Sequence, residues 1–195
     1  MGHKAALLID GGYLRKIAVA AGNEYNPDFI ERVAHSCFLE NEEIYRVFYY
    51  DAPRYKGTVN RPISEREWKF QANNRWLEQI GKRDYFAVRL GKLTFRGWKL
   101  KRIPENGESL TDDHFSPDLQ QKGVDMRIGL DIASLKEHGV VSRFIMLAFD
   151  ADLIPAMKVG RRAGMQAVAI ELPKQTISRE FRAHVDFTRQ IDWPT

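Results

Sequence analysis

The sequence predicts an α/β domain, a mostly parallel sheet with helices on both faces. Three observations carry this. Ala5-Ala6-Leu7-Leu8-Ile9, Phe144-Ile145-Met146-Leu147-Ala148-Phe149 and the stretch from Gln166 to Leu172 are short apolar runs, the signature of strands buried on both faces. Two of them stop at carboxylates, Asp10 after the first and Asp150 and Asp152 after the second. A lone carboxylate is costly to bury, so these acids belong at strand ends. Segments with helical spacing separate the strands, with no repeat and no linker, as in βαβ crossovers.

The first strand leads through Gly11-Gly12, read as a sharp turn, into a helix with apolar spacing at Leu14, Ile17 and Ala18. The Gly-Lys-Ser/Thr ending of a nucleotide P-loop is missing. Asn26-Pro27 opens a second helix toward Leu39, Asn as N-cap and Pro at the first helical position. Ile44 to Tyr50 is a strand ending at Asp51. Pro53 to Pro62 is a loop carrying Arg54, Lys56 and Arg61. Ser64 and Glu67 have the spacing of a capping box for a helix to about Ile80, with Trp68, Ala72 and Trp76 on its packed face.

Tyr85 to Leu90 is the next strand. From Gly91 to Ile103 the chain alternates as a hairpin or edge strand and is basic, with Lys92, Arg96, Lys99, Lys101 and Arg102 around Phe95 and Trp98. Two readings stand side by side: a path for single-stranded nucleic acid, or charges that blunt a sheet edge. Pro104 to Lys122 reads as a polar loop, so residues 91–122 form an insertion in a single domain spanning 1–195.

Gly123 to His138 is a helix that carries Asp125 in its first turn and Asp131 almost two turns deeper, both bordering its apolar stripe. Asp125 is read as functional; Asp131 is either an accessory to a metal or a buried hydrogen-bond anchor. Leu153 to Gly164, capped by Asp152, is a helix ending near Arg161-Arg162, and Ser178 to Ile191 is a closing helix.

Composition bounds the function. The chain has 195 residues, 44% hydrophobic and 29% charged, ordinary for one globular domain. No apolar run approaches the roughly 20 residues of a membrane span. The lone Cys37 suits a reducing cytosol, and a cytoplasmic location is expected. A net charge of +4 hints at a polyanionic partner.

Ligands bind outside the carboxyl ends of the strands in an open α/β sheet. If the strands that end at Asp10 and Asp150 are neighbours, Asp10, Asp150 and Asp152 share one crevice, and Asp125 can enter it. Crowded carboxylates repel, and a hard cation such as Mg2+ or Mn2+ relieves that repulsion. Such an ion can orient a water and neutralise charge on a phosphodiester. No His-x-His, Cys-x-x-Cys or His-Glu-x-x-His spacing argues for zinc; His35, His114, His138 and His184 read as surface or structural, and Cys37 as packing.

Leu8-Ile9-Asp10-Gly11-Gly12, then Lys122-Gly123-Val124-Asp125 with Asp131 six residues on, then Asp150-Ala151-Asp152-Leu153-Ile154-Pro155, resemble the three blocks of NYN domains, in the LabA-like branch of the PIN-like nuclease superfamily. The resemblance spans nearly the whole chain. It implies a Rossmann-like, PIN-like three-layer sandwich and RNA cleavage. It also implies metal ligands at Asp10, Asp125, Asp150 and Asp152, with Asp131 and Lys122 as accessories. Two positions depart from the family pattern: Tyr13 stands where Asn is frequent, and Ala148-Phe149 where Ser-Gly is usual.

The leading expectation is a metal-dependent endoribonuclease. Its RNA, single-stranded by this reading, would be held by Tyr13, Arg96, Trp98, Lys99, Arg161 and Arg162. The competing one, motivated by Ala148-Phe149, is a regulatory domain that binds RNA or protein without turnover. A homodimer or other protein partner stays open. An Asp-x-Asp phosphatase or receiver domain is disfavoured, because only Asp10 stands after the first strand.

Overall fold

The computed structural model describes residues 2–104 and 107–194, with the side chains of Lys136 and His138 outside that description. Six strands form one parallel sheet: β1 (His3–Asp10), β2 (Glu42–Asp51), β5 (Phe86–Leu90), β8 (Arg143–Leu147), β9 (Gln166–Glu171) and β10 (Phe187–Gln190). Their spatial order is β10-β9-β8-β1-β2-β5, each pair parallel. Between the strands lie α1 (Gly11–Ala20), α2 (Pro27–Ser36), α3 (Arg75–Gly81), α4 (Val124–His138), α5 (Ile154–Arg162) and α6 (Arg179–Arg182). Two antiparallel strands, β3 (Gly57–Asn60) and β4 (Glu67–Phe70), pair apart from the sheet, and β6 (Lys92–Leu100) pairs with β7 (Phe115–Lys122).

Period-two alternation along each central strand builds the layers. Leu7 and Ile9 of β1 pack with Leu14, Ile17, Ile30, Val33, Leu77 and Ile80, the cores of α1, α2 and α3. Ala6 and Leu8 face the opposite way, into Val124, Ile128, Ile132, Ile154, Met157 and Phe181 of α4, α5 and α6. The result is a Rossmann-like sandwich whose connections run to one face after β1 and to the other after β8. Those two strands are adjacent, with Ile9 beside Leu147. The crevice between their carboxyl ends is therefore the switch point at which open α/β sheets bind ligands.

Five expectations need correction. Ser64 does not cap a helix: its hydroxyl and amide turn to Asp112, Glu65 adopts a left-handed φ of +57°, and the chain enters β4. Only Arg75–Gly81 is helical there, so Trp68 sits apart from Trp76, exposed under the guanidinium of Arg61. The loop expected over Pro53–Pro62 contains β3, and the second half of Pro104–Lys122 is β7; residues 105 and 106 lie outside the described residues. The closing helix stops after one turn capped by Ser178, and 187–190 adds to the open edge of β9 as β10. Local helical spacing loses there to the unpaired amides and carbonyls of a sheet edge. Finally, Gly11 and Gly12 form the first turn of α1, not a separate turn. Their smallness serves close approach: a Cβ on Gly11 would stand 2.7 Å from Asp51 Oδ2.

Candidate functional site

An acid closes most of the central strands, and the acids divide into two kinds. Asp51 ends β2, 1% exposed and ion-paired to Arg15 of α1; Tyr49 Oη donates to it at 3.2 Å and the Ala52 amide at 2.7 Å. Glu171 ends β9, buried and paired to Arg182 at 3.4 Å. Asp131, inside α4, accepts from Tyr50 Oη at 2.8 Å and from Arg89 Nε at 3.0 Å. It is thus engaged as a hydrogen-bond anchor between α4, β2 and β5. These three carboxylates thus carry arginine partners.

At the switch point the acids do not. Asp10 ends β1 and caps α1, its Oδ1 accepting from the Tyr13 amide at 3.0 Å. Asp150 follows β8 and caps a 3-10 turn, its Oδ1 accepting from the Asp152 amide at 2.9 Å. Asp125 stands in the first turn of α4. Among the described residues, none of Asp10, Asp125, Asp150 and Asp152 forms a salt bridge.

Their electrostatics link them. Burial raises the Asp10 carboxyl above its ordinary value; the amides of Tyr13 and Gly12 oppose the rise, and the charges of Asp125 and Asp51 add to it. Asp125 is raised by burial, then by Asp150, and further by Asp152, against its own amide. Asp125 is thus the member that senses both strand ends.

No group of three or more His, Cys, Asp or Glu side chains among the described residues is arranged to hold a metal ion. The chemistry of the donors, though not a preformed arrangement, is of the kind a hard cation takes. All four are carboxylates without a protein counter-charge, and magnesium is ordinarily held through one or two carboxylates plus water and substrate oxygens. A closed protein cage is not required.

Aromatic rings line the same mouth. Tyr13 meets Phe149 edge to face, centroids 5.2 Å apart, and Phe149 meets Phe181 at 5.4 Å. Burial and the Asp10 charge push the Tyr13 phenol up to about 12.

No family model and no curated protein matches the chain. A crystal structure of a protein of unknown function, VPA0982 from Vibrio parahaemolyticus RIMD 2210633, is similar over 98% of this chain and 94% of that one, with a TM-score of 0.55 and 16% identity. That likeness concerns the fold over the full length.

The remaining expected substrate residues scatter. Lys122 ends β7 opposite Lys92, and the neighbouring Gln121 amide lies within 4 Å of where a Gly12 Cβ would stand, over Asp10. The base of the β6–β7 hairpin therefore overhangs the mouth. Arg96 and Lys99 lie further along the hairpin, Arg96 3.8 Å from Asp118. Trp98 is not free to stack on a base: its Nε1 donates to Asn60 O at 2.7 Å, and its ring packs with Phe70 and Phe95. Arg161 and Arg162 sit in the last turn of α5, about 12 Å along the helix from its start. Arg161 is tied to Asp186 at 2.7 Å, beside the first residues of β9. These two arginines are at the wrong end of the sheet to meet the acids. Sequence reasoning passed over Asp51 and Gln121; a carboxylate after a strand was a signal for the first, and nothing local marked the second. His114, buried, bonds Thr111 and is structural, and Cys37 is buried with its thiol pushed up by burial.

Proposed function

We propose that this chain is a divalent-metal-dependent endoribonuclease of the PIN-like kind. The observation that supports it best is the contrast among the acids: Asp51, Glu171 and Asp131 carry arginines, while Asp10 and the exposed Asp125, Asp150 and Asp152 stand at the switch-point crevice without any, the charge of Asp125 opposed by Asp150 and Asp152 and in turn opposing that of Asp10. Folding tolerates that repulsion where a cation or its substrate complex balances it. Magnesium or manganese, when bound, would orient an attacking water and neutralise charge on the phosphodiester. The chain's own part is positional. Asp10 and Asp150 are held by the amides that they cap, and Asp125 approaches from α4 on the other side. Lys92 and Lys122 at the hairpin base can meet the RNA backbone as it enters.

A second reading has its own observation. Tyr13 and Phe149, backed by the buried Phe181, put rings at the mouth, which narrows it for a substrate and suits a domain that binds RNA without turnover. Manganese-dependent cleavage of single-stranded RNA by the wild type and Asp150→Asn distinguishes the two. The Asn side chain keeps the cap to Asp152. The nuclease reading expects cleavage by the wild type and its loss in the variant; RNA binding with equal or no cleavage in both assigns the second.

A further inference from the structure

A cavity of about 720 Å³ opens on the α1–α3 side of the sheet, beyond the carboxyl end of β2. Arginines reach it from three segments: Arg15 from α1, Arg54 from the chain after β2, and Arg75 from α3. Tyr25 and Trp76 form an aromatic wall, and no Asp or Glu is among the lining residues.

The three guanidinium groups are not equivalent. Arg15 is ion-paired to Asp51 and lies over the wall, its guanidinium carbon 5.1 Å from the Trp76 ring centre and 5.5 Å from that of Tyr25. Arg54 and Arg75 are exposed, and neither has a carboxylate partner among the described residues. Their backbones, in contrast, are fixed. The Arg54 amide donates to Asn74 Oδ1 at 2.9 Å and the Arg75 amide to Asn73 Oδ1 at 3.0 Å. Two cations without partners are thus rooted on a braced segment at the rim of a partly apolar hollow.

Each part excludes a class of ligand. An apolar molecule would leave both guanidinium forks unmatched. A bare inorganic anion would leave the wall of Trp76, Tyr25 and Arg15 uncovered. The combination fits a flat ring joined to a phosphate, since a guanidinium fork matches phosphate oxygens and a planar Arg–Trp surface suits a base. The volume is within the usual range for small-ligand sites, about 300–1,000 Å³. We propose that this cavity binds a nucleoside monophosphate, its phosphate at Arg54 and Arg75 and its base against the surface that Arg15 and Trp76 form together, either free or at the end of an RNA strand. None of Asp10, Asp125, Asp150 and Asp152 lines the cavity, so the proposal does not rest on the nuclease reading.

The test is calorimetric titration of the full chain with AMP, adenosine and inorganic phosphate, in EDTA so that no metal-dependent step intervenes. AMP is expected to bind at least about 10-fold more tightly than either part alone, a difference of one well-made contact. The double variant Arg54→Gln/Arg75→Gln should lose at least about 10-fold in AMP affinity at an unchanged melting temperature, both side chains being exposed. Oligonucleotides with and without a 5′-phosphate separate the sources. A preference for the phosphorylated strand that the double variant removes assigns a strand end, and no preference, with AMP still bound, assigns free nucleotide. AMP binding no tighter than phosphate, AMP binding untouched by the double variant, or no AMP binding at millimolar concentration each overturns the proposal. Cleavage assays play no part, so loss of the nuclease reading would leave this result standing.

Discussion

Tyr13 and Phe149 meet edge to face across the switch point, one from the helix behind β1 and the other from the turn after β8, with ring centroids 5.2 Å apart. Both belong to the departures from the NYN-domain pattern that the sequence resembles, Tyr13 in place of Asn and Phe149, with Ala148, in place of Ser-Gly. The ring at 149, itself backed by Phe181, gives the ring at 13 an apolar surface to lie against. Edge-to-face pairs contribute about 0.5–1.5 kcal/mol beyond their buried area. A double-mutant cycle of Tyr13→Ala and Phe149→Ala in denaturant melts should give a coupling of about 1 kcal/mol. Strict additivity would show that the ring pair carries no energy.

The unpartnered acids make a prediction about pH. Burial, with Asp125 and Asp51 adding, raises Asp10 above its ordinary value of 3.8. An acid raised in the folded state takes up protons on folding between the two values. Its effect is most favourable to the fold below the unfolded value, and stability falls as pH rises through the folded one. At neutral pH the ionised Asp10 therefore works against the fold. Asp10→Asn keeps an acceptor for the Tyr13 amide and removes the charge. In EDTA at pH 7 the variant should melt about 1–4 °C higher than wild type, and the gap should close as pH falls toward 3. A variant that melts lower at pH 7 would contradict the assignment.

At the other end of the sheet an acid has the opposite character. Glu42 begins β2, its side chain wholly buried, and is bonded by Arg143, by Arg189 at 2.9 Å and by the Leu39 amide at 2.8 Å. Burial alone would raise its carboxyl; the hydrogen bonds from Arg189, Arg143 and Leu39 outweigh that and lower it. Its contribution is present above the unfolded value and is lost as pH falls through the lowered one. Glu42→Ala strands two buried guanidinium groups, and a loss of about 3–5 kcal/mol is expected in urea melts. A loss under about 1 kcal/mol would mean that water replaces the carboxylate at little cost.

The unequal success of sequence reading has a physical pattern. Five of the six sheet strands were legible, β1, β8 and β9 because buried parallel strands are unbroken apolar runs, and the places of Asp10 and Asp150 followed because a carboxylate marks where burial ends. Segments whose pairing partner lies far along the chain were not legible. Glu67–Phe70 has a capping-box start, yet becomes a strand because Gly57–Asn60 is there to receive it. Phe187–Gln190 becomes a strand because β9 offers an open edge. The partners of Arg161 and Trp98 were not legible for the same reason: both have the chemistry for RNA, but Asp186 and Asn60 engage them.

That contrast yields a spatial prediction about RNA. Lys92 and Lys122 are directly opposed at the base of the β6–β7 hairpin, an arrangement that costs stability in an antiparallel pair. On the proposed nuclease reading, their charge would draw a polyanion toward a mouth of unpaired acids that would otherwise repel it. Arg161 and Arg162 lie at the far end of α5, and Arg161 is neutralised by Asp186. Replacing Lys92 and Lys122 together by Gln should weaken binding to single-stranded RNA and reduce the slope of log affinity against log salt by about 1.4, about 0.7 for each phosphate that a lysine no longer neutralises. Replacing Arg161 and Arg162 together by Ala should leave that slope unchanged while lowering stability by no more than about 1 kcal/mol. If the slope instead fell with the α5 pair and held with the lysines, the RNA path would run along the opposite end of the sheet, and the switch-point acids would not be where the strand is read.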